Sequence, residues 1–297
     1  MNMTDLDQNI KHGYDIGIKM QKIRNISSRW IVRIFLICVA AITLYPVLWN
    51  IYSAFKTNYE FLGNPFSLPS GLEWDNFVRA SQTINIASSF FNSLFVVAIT
   101  IIVIILCVIP CAYCLGRFKF FGARPMLALY MVAIFIQSTY IMIPLYLQML
   151  SIGWLDKLIP LGVLYAATQF PFSIFLMTGF MRTIPKDYSE AAMIDGCSNF
   201  RILTQVVGPM AKPGIVTVCM LSAMAAWNEY PLALVLLTEA NYTLPVGLQR
   251  LYEIQRYATD WGALFAALTI VLVPTIIMFA LGQRYLIEGI SAGGLKG

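Results

Sequence analysis

The sequence predicts an all-α integral membrane protein with six transmembrane helices and both termini cytoplasmic. Three observations carry that reading. Only 12% of the 297 residues are charged while 59% are hydrophobic, whereas a soluble domain carries about 25% charged residues. The apolar residues gather into runs, several reaching the roughly 20 residues that cross a hydrocarbon core. The runs lack the inside–outside alternation of barrel strands, so helices, which satisfy their own backbone groups, are the expected form.

Taken in order, residues 1–30 form a mixed tail carrying Lys11, Lys19, Lys22, Arg24 and Arg29. It fits either a flexible or loosely docked tail or an interfacial amphipathic helix. The first sustained apolar run starts at Ile31 and outlasts the roughly 7–15 residues of a signal-peptide core, so it is expected to stay as the first span. The six spans are drawn at 31–54, 90–115, 124–149, 158–181, 213–237 and 262–283, within a membrane domain of residues 31–286, and residues 287–297 form a C-terminal tail. Pro46, Pro110, Pro144, Pro171, Pro231 and Pro274 fall inside these spans or near their ends. Kinks are tolerated there when neighbouring helices satisfy the freed carbonyls.

Orientation follows from the loop cations. One side collects the five tail residues, then Arg117, Lys119, Arg124, Arg182, Lys186, Arg201, Lys212, Arg284 and Lys296. The other holds Lys56, Arg79, Lys157, Arg250 and Arg256. The excess places both termini and the 182–212 segment in the cytoplasm. The two long outer loops, 55–89 and 238–261, are rich in aromatics, among them Phe61, Phe66, Trp74, Phe77, Tyr252 and Trp261. Such residues serve either as anchors at the membrane edge or as a docking surface for an external partner.

Some chemistry is excluded. His12 is the single histidine and sits in the tail, which argues against zinc catalysis and histidine-based triads. Cys111 and Cys114 form a C-x-x-C at the end of an apolar span, without a second pair or a nearby histidine. They read as small packing residues. SAGGLKG at the C-terminus is Gly-rich but lacks the G-x-x-x-x-G-K-[ST] spacing of a phosphate-binding loop. No metal and no bound cofactor are expected, nor any nucleic-acid partner.

The stretch SEAAMIDGCSNFRILTQVVGPMAKPG, residues 189–214, interrupts the apolar runs. Pro185 suits the first turn of a helix, and Asp187 and Glu190 place negative charge where the helix dipole favours it. Gly196 is a plausible stop and Ser198 a plausible cap for a second piece. Phe200, Leu203 and Val207 recur at helical spacing, opposite Arg201, Thr204 and Gln205, until Pro209 ends the run. The expectation is a compact helix pair, residues 185–208, with one face buried.

Its spacing carries a resemblance. Glu190-Ala191-Ala192, three residues ending in Asp195, Gly196, nine residues, then Val206-x-Gly208-Pro209 resembles the EAA motif of ABC importer permeases, EAA-x3-G-x9-I-x-L-P. Val206 replaces Ile mildly; Gly208 in place of Leu is a real departure. Asn92-Ser93-Leu94, Ile143-Pro144-Leu145-Tyr146-Leu147, Ala226-Trp227-Asn228-Glu229-Tyr230 and the tail from Gly289 to Gly297 are similar to the carbohydrate-uptake, MalG-like branch. The resemblance runs from the first span to the end of the chain.

It implies a type I ABC importer permease fold in a bacterial or archaeal cytoplasmic membrane, with transport by alternating access. Implied partners are a second homologous permease, a dimeric cytoplasmic ATPase that uses ATP and Mg, an extracytoplasmic solute-binding protein and the lipid bilayer. Glu190, Ala191, Ala192, Asp195, Gly196 and Pro209 would couple to the ATPase, and Gly293, Gly294, Lys296 and Gly297 would run along its dimer. The implied solute is an oligosaccharide or sugar derivative. A non-sugar solute within the same family and an ion-coupled secondary transporter stand as alternatives.

Ionisable groups inside spans are costly and default to functional hypotheses. Glu229 is the acid lying well inside a drawn span, flanked by Asn228 and Tyr230. These three form the candidate solute pathway, with Gln137, Ser138 and Tyr140 of the third span and Gln169 of the fourth as further candidates. A purely structural role for Glu229, pairing across helices, is the competing reading.

Overall fold

The computed structural model describes residues 30, 32–83, 85–255 and 260–294, and among them the regular structure is helical throughout. The first drawn span is the helix Val32–Ser53 (α1). Two short helices follow, Asn58–Gly63 (α2) and Asp75–Thr83 (α3), and then the second span, Ile86–Arg117 (α4). At a rise of about 1.5 Å per residue α4 is about 48 Å long, more than a hydrocarbon core requires. Asn85 caps its start by accepting from the Ser88 N–H, and Arg117 sits in its last turn, where the dipole favours a cation. The fourth span is Leu158–Thr183 (α7).

The third drawn span is not one rod. Ala123–Ala133 (α5) and Met142–Ser151 (α6), with a 3-10 turn Ser138–Ile141 leading into α6, are bent by 89° at their junction. The cause is local. Three polar residues, Gln137, Ser138 and Thr139, interrupt the apolar run at the bend, and Pro144 lacks an N–H and so suits a first helical turn. The fifth drawn span divides likewise, into Lys212–Trp227 (α11) and Pro231–Leu236 (α12). After Leu244–Gln255 (α13) comes Trp261–Gly294 (α14), which runs unbroken past the 286–287 boundary drawn from sequence.

Side-chain contacts set the helix directions. Thr100 donates to the Gly162 carbonyl at 3.1 Å, and Arg117 donates to the carbonyls of Ile184 and Pro185 at 2.7 and 3.2 Å. Both residue numbers rise together, so α4 and α7 lie parallel and the segment between them must return. Between α7 and α11 the order reverses. Phe180 packs against Gly214, Ser173 lies 3.4 Å from Ser222, and the Tyr165 hydroxyl donates to Glu229. These three rungs make α7 and α11 antiparallel.

The buried apolar residues form two clusters, one toward each end of this helix set. One joins Ile104 and Val108 of α4 to Met177 and Met181 of α7 and Val218 of α11. The other holds Phe61, Trp227, Leu232 and Phe265. In the second cluster Phe61 stacks on Trp261 at 5.2 Å between ring centroids, and Phe265 meets Trp49 edge-on at 5.0 Å. Phe61 and Trp261, expected from sequence as membrane-edge anchors or docking residues, are therefore packing residues, while Phe66, Trp74 and Tyr252 remain exposed. The long apolar side chains left exposed on α1 and on the outer faces of α4 and α5 suit hydrocarbon or another membrane helix, for which exposure carries no hydrophobic cost.

The loops at this second end are fastened by polar groups. Fully buried Asn76 donates to the carbonyls of Ala54 and Lys56 at 2.7 and 2.8 Å. Arg79 bridges α3 to Asp260, just before α14, at 2.7 Å. Buried Lys56 donates to the Asn64 and Pro65 carbonyls. Asn76→Ala leaves two buried carbonyls without donors, and should lower the stability of the assembled protein by about 2–4 kcal/mol. Thermal unfolding of the purified variant measures this.

Candidate functional site

Two constellations sit at opposite ends of the α7–α11 pair. The first is the polar stretch of residues 185–211. It folds as Asp187–Ile194 (α8) and Asn199–Ile202 (α9), then a π-helical turn Leu203–Val207 and a final turn Gly208–Met210 (α10). Asp187 and Glu190 occupy the first turn of α8, as the dipole favours. Gly196 ends α8 at φ +80°. Its N–H donates to the Met193 carbonyl and that of Cys197 to the Ala192 carbonyl, at 3.0 and 2.9 Å. This is a Schellman closure, whose left-handed residue is best supplied by glycine. Ser198 then caps α9 by accepting from the Arg201 N–H at 3.4 Å.

The pair has two unlike faces. Ala192, Ile202, Leu203 and Val207 are buried in the same cluster as Met177, Phe180, Met181 and Ile184. Glu190 and Ala191 are exposed, and so are Tyr188, Met193, Ile194 and Phe200, with Ile194 at 87%. Phe200 is 76% exposed and does not belong to the buried stripe expected from spacing. The buried positions are instead Ile202, Leu203 and Val207. Arg117, reaching from the end of α4 to the carbonyls of Ile184 and Pro185, ties the entry of the pair to the spans.

The turn also accounts for Gly208. A Cβ at this position would lie 2.7 Å from the Leu203 carbonyl oxygen, which the Gly208 N–H bonds in closing the π turn. Gly208 is also helical, at φ −58° and ψ −51°, immediately before Pro209, a conformation that proline disfavours for any residue bearing a Cβ. Asp195 and Pro209 are both exposed beside these turns. Of the C-terminal candidates, Gly293 and Gly294 end α14, and Lys296 and Gly297 lie outside the described residues.

The second constellation is a cavity of about 590 Å3 at the bend between α5 and α6. Gln137, Ser138 and Thr139 line it from the bend, Tyr165, Thr168 and Gln169 from α7, and Ala225 and Glu229 from the end of α11. Both Ala167 and Pro171 line it as well. Pro171 has no N–H, so the Ala167 carbonyl four residues earlier lacks its ordinary helical donor. Glu229 is engaged on both oxygens: Oε1 accepts from the Leu232 N–H at 2.9 Å, and Oε2 from the Ala233 N–H at 3.3 Å and the Tyr165 hydroxyl. The acid thus caps α12, a carboxylate at a helix N-terminus, and pins the α11–α12 break to α7.

The cavity gathers Gln137 and Glu229 with Ser138 and Gln169. It does not gather the other candidates. Asn228 is exposed and donates back to the Met224 carbonyl at 2.7 Å. Tyr140 is 77% exposed in the 3-10 turn, and half-buried Tyr230 precedes α12. Tyr165 and Thr168 escaped the sequence reading. The signal was a phenol inside an apolar run, whose hydroxyl needs a partner once buried.

Residues 63–291 match the family described as binding-protein-dependent transport system inner membrane component. The chain belongs to this family. It is therefore a permease, a transport component and not an enzyme. It is 34% identical over 262 residues to the diacetylchitobiose uptake system permease protein NgcG of Streptomyces coelicolor, covering 88% of this chain and 87% of that one. It is 30% identical over 266 residues to the trehalose/maltose transport system permease protein MalG of Thermococcus litoralis, covering 88% and 94%. The permease also shares its fold with a crystal structure of a bacterial ABC transporter involved in the import of the acidic polysaccharide alginate. There the TM-score is 0.75 at 24% identity, over 86% of this chain and 95% of that one.

Proposed function

We propose that this permease carries a sugar, an oligosaccharide or sugar derivative, through a bacterial or archaeal cytoplasmic membrane by alternating access. In this reading six spans, α1, α4, α5 with α6, α7, α11 with α12, and α14, cross the bilayer with both termini inside. The loop cations support that orientation. A dimeric ATPase hydrolyses ATP with Mg, an extracytoplasmic binding protein delivers the solute, and a second, homologous permease completes the pathway. The membrane domain of residues 31–286 lies between cytoplasmic tails 1–30 and 287–297.

The carrying observation is the helix pair of residues 187–210, welded to α7 on one face and bare on the other. A segment that only joined two spans would have no use for an exposed face bearing Glu190, Met193 and Ile194 beside a tight Schellman turn. As a coupling element it receives the ATPase on the bare face, with Glu190 offering a charge-assisted contact, and passes movement to the spans through the buried one. ATPase closure then rocks the spans between two arrangements. The cavity supports the sugar reading, since amides, hydroxyls and one carboxylate suit a hydroxyl-rich solute. NgcG and MalG, by their names, serve a disaccharide and disaccharides respectively.

Reconstitution tests the proposal. Vesicles holding both permeases, the ATPase and the binding protein should take up sugar only with ATP inside, and uptake by permease without ATPase overturns the reading. In the same system Glu229→Gln turns an amide N–H2 toward donors, and should lower stability by about 1–3 kcal/mol. Tyr165→Phe, which leaves both α12 caps intact, should cost less. Thermal unfolding beside uptake separates the two, and equal stability of Glu229→Gln and the parent removes the capping role.

A further inference from the structure

A second cavity, of about 810 Å3, opens where α4, α5 and α7 meet beside the helix pair. Five cations line it: Arg117, Lys119, Arg124, Arg182 and Lys186, and no acid does. Arg117 is committed to the carbonyls of Ile184 and Pro185. The other four side chains have no hydrogen-bond or ion-pair partner among the described residues and are exposed. The acids of the helix pair, Asp187, Glu190 and Asp195, lie on α8 or just after it, outside the lining.

Four unpaired cations around one concavity repel each other unless an anion sits among them. Beside them Phe118, Phe120 and Phe121 also line the cavity and are exposed, Phe121 completely. The lining thus combines basic and aromatic side chains. It occupies the level at which the spans α4 and α7 end, at Arg117 and Thr183. Basic side chains meet lipid phosphates at that level of a bilayer, and phenylalanine, which lacks a polar tip, suits the adjoining hydrocarbon.

We propose that this cavity binds the phosphate headgroup of an anionic phospholipid, with Lys119, Arg124, Arg182 and Lys186 around the headgroup and Phe118, Phe120 and Phe121 against its acyl chains. A folded acidic surface of the ATPase would match the charge but would leave the three phenylalanines unused. The proposal rests on the spans crossing a membrane and is independent of the solute carried. It makes the lipid a neighbour of the helix pair, because Arg182 and Lys186 flank the entry to α8.

The assembled transporter, purified in neutral detergent, is titrated with phosphatidylglycerol or phosphatidylcholine, and retained lipid is counted by mass spectrometry. Phosphatidylglycerol should be retained preferentially, and Lys119→Gln with Arg124→Gln should weaken its retention on the order of 30-fold. Arg201→Gln with Lys212→Gln, equal in charge but outside the cavity, should not weaken it. The swap of Lys119→Arg with Arg124→Lys should retain lipid, which guards against a folding defect. Equal retention of the two lipids, or equal loss from both glutamine pairs, overturns the site. Displacement by millimolar inorganic phosphate overturns the lipid in favour of a soluble anion. Retention by the permease pair but not after ATPase addition assigns the cavity to the ATPase and overturns it too.

Discussion

Gly208→Leu, which restores the residue of the family pattern, should damage this protein. The first side-chain carbon would lie 2.7 Å from the Leu203 carbonyl oxygen, and that oxygen is held by the π turn and cannot swing away as a side chain would. The helical conformation before Pro209 adds a second conflict. Overpacking of this kind costs about 1–3 kcal/mol, spent here in the segment joining the helix pair to α11. Gly208→Ala should lose most of the same stability, because the clash arises at Cβ. Thermal unfolding of the assembled transporter compares the three chains. If leucine proves as stable as glycine, the π turn is not what selects the residue.

The second large effect separates contact from folding. Glu190 is exposed and its side chain has no partner among the described residues, so Glu190→Gln should cost the fold only the roughly 0.3–1 kcal/mol of a charge at the α8 N-terminus. A charge-assisted contact contributes about 1.5–3 kcal/mol, equivalent to roughly tenfold to hundredfold in an equilibrium. Uptake should therefore fall by about that factor while the purified ATPase keeps its own activity. Gly196→Ala acts differently. At φ +80° the Cβ costs about 1–2 kcal/mol, and the turn that sets the angle between α8 and α9 loosens. Both variants should uncouple ATP hydrolysis from uptake, but the second should melt distinctly earlier than the first. Normal coupled uptake in both removes the helix pair from the mechanism.

These contrasts mark how far the chain could be read before its structure. Runs of apolar residues identify α1, α4 and α7 within a few positions, because length and composition alone decide a straight span. The bend at Gln137 and the break at Asn228–Tyr230 were hidden by the same arithmetic: a window averages three polar residues into their apolar surroundings. The helix pair was legible because Gly196, Ser198 and Pro209 act locally on the backbone. Leu203 and Val207 keep the buried face that spacing predicts, but Ile202 joins them in place of Phe200. Which flank of a four-residue helix is covered depends on its packing against α7. The Glu229 carboxylate was located by its charge. Its role as a cap depended on where α12 begins, and its bond to Tyr165 depends on how α7 crosses α11. No spacing within a single segment reports such a crossing.

The three rungs between α7 and α11 have a mechanical meaning. Phe180 meets Gly214 beside the helix pair, and Tyr165 meets Glu229 at the cavity by the α5–α6 bend. The distance between these points along α7 is about 22 Å, from fifteen residues at a rise of about 1.5 Å. The Ser173–Ser222 rung lies beyond Pro171 from Tyr165, so contacts clamp the helix on both sides of this interior proline. In the proposed coupling mechanism the two helices would act as a lever arm moved from the basic end. A tilt of about 5° there displaces the cavity wall by about 2 Å over that length, which is enough to open or close a gap the width of a hydroxyl group.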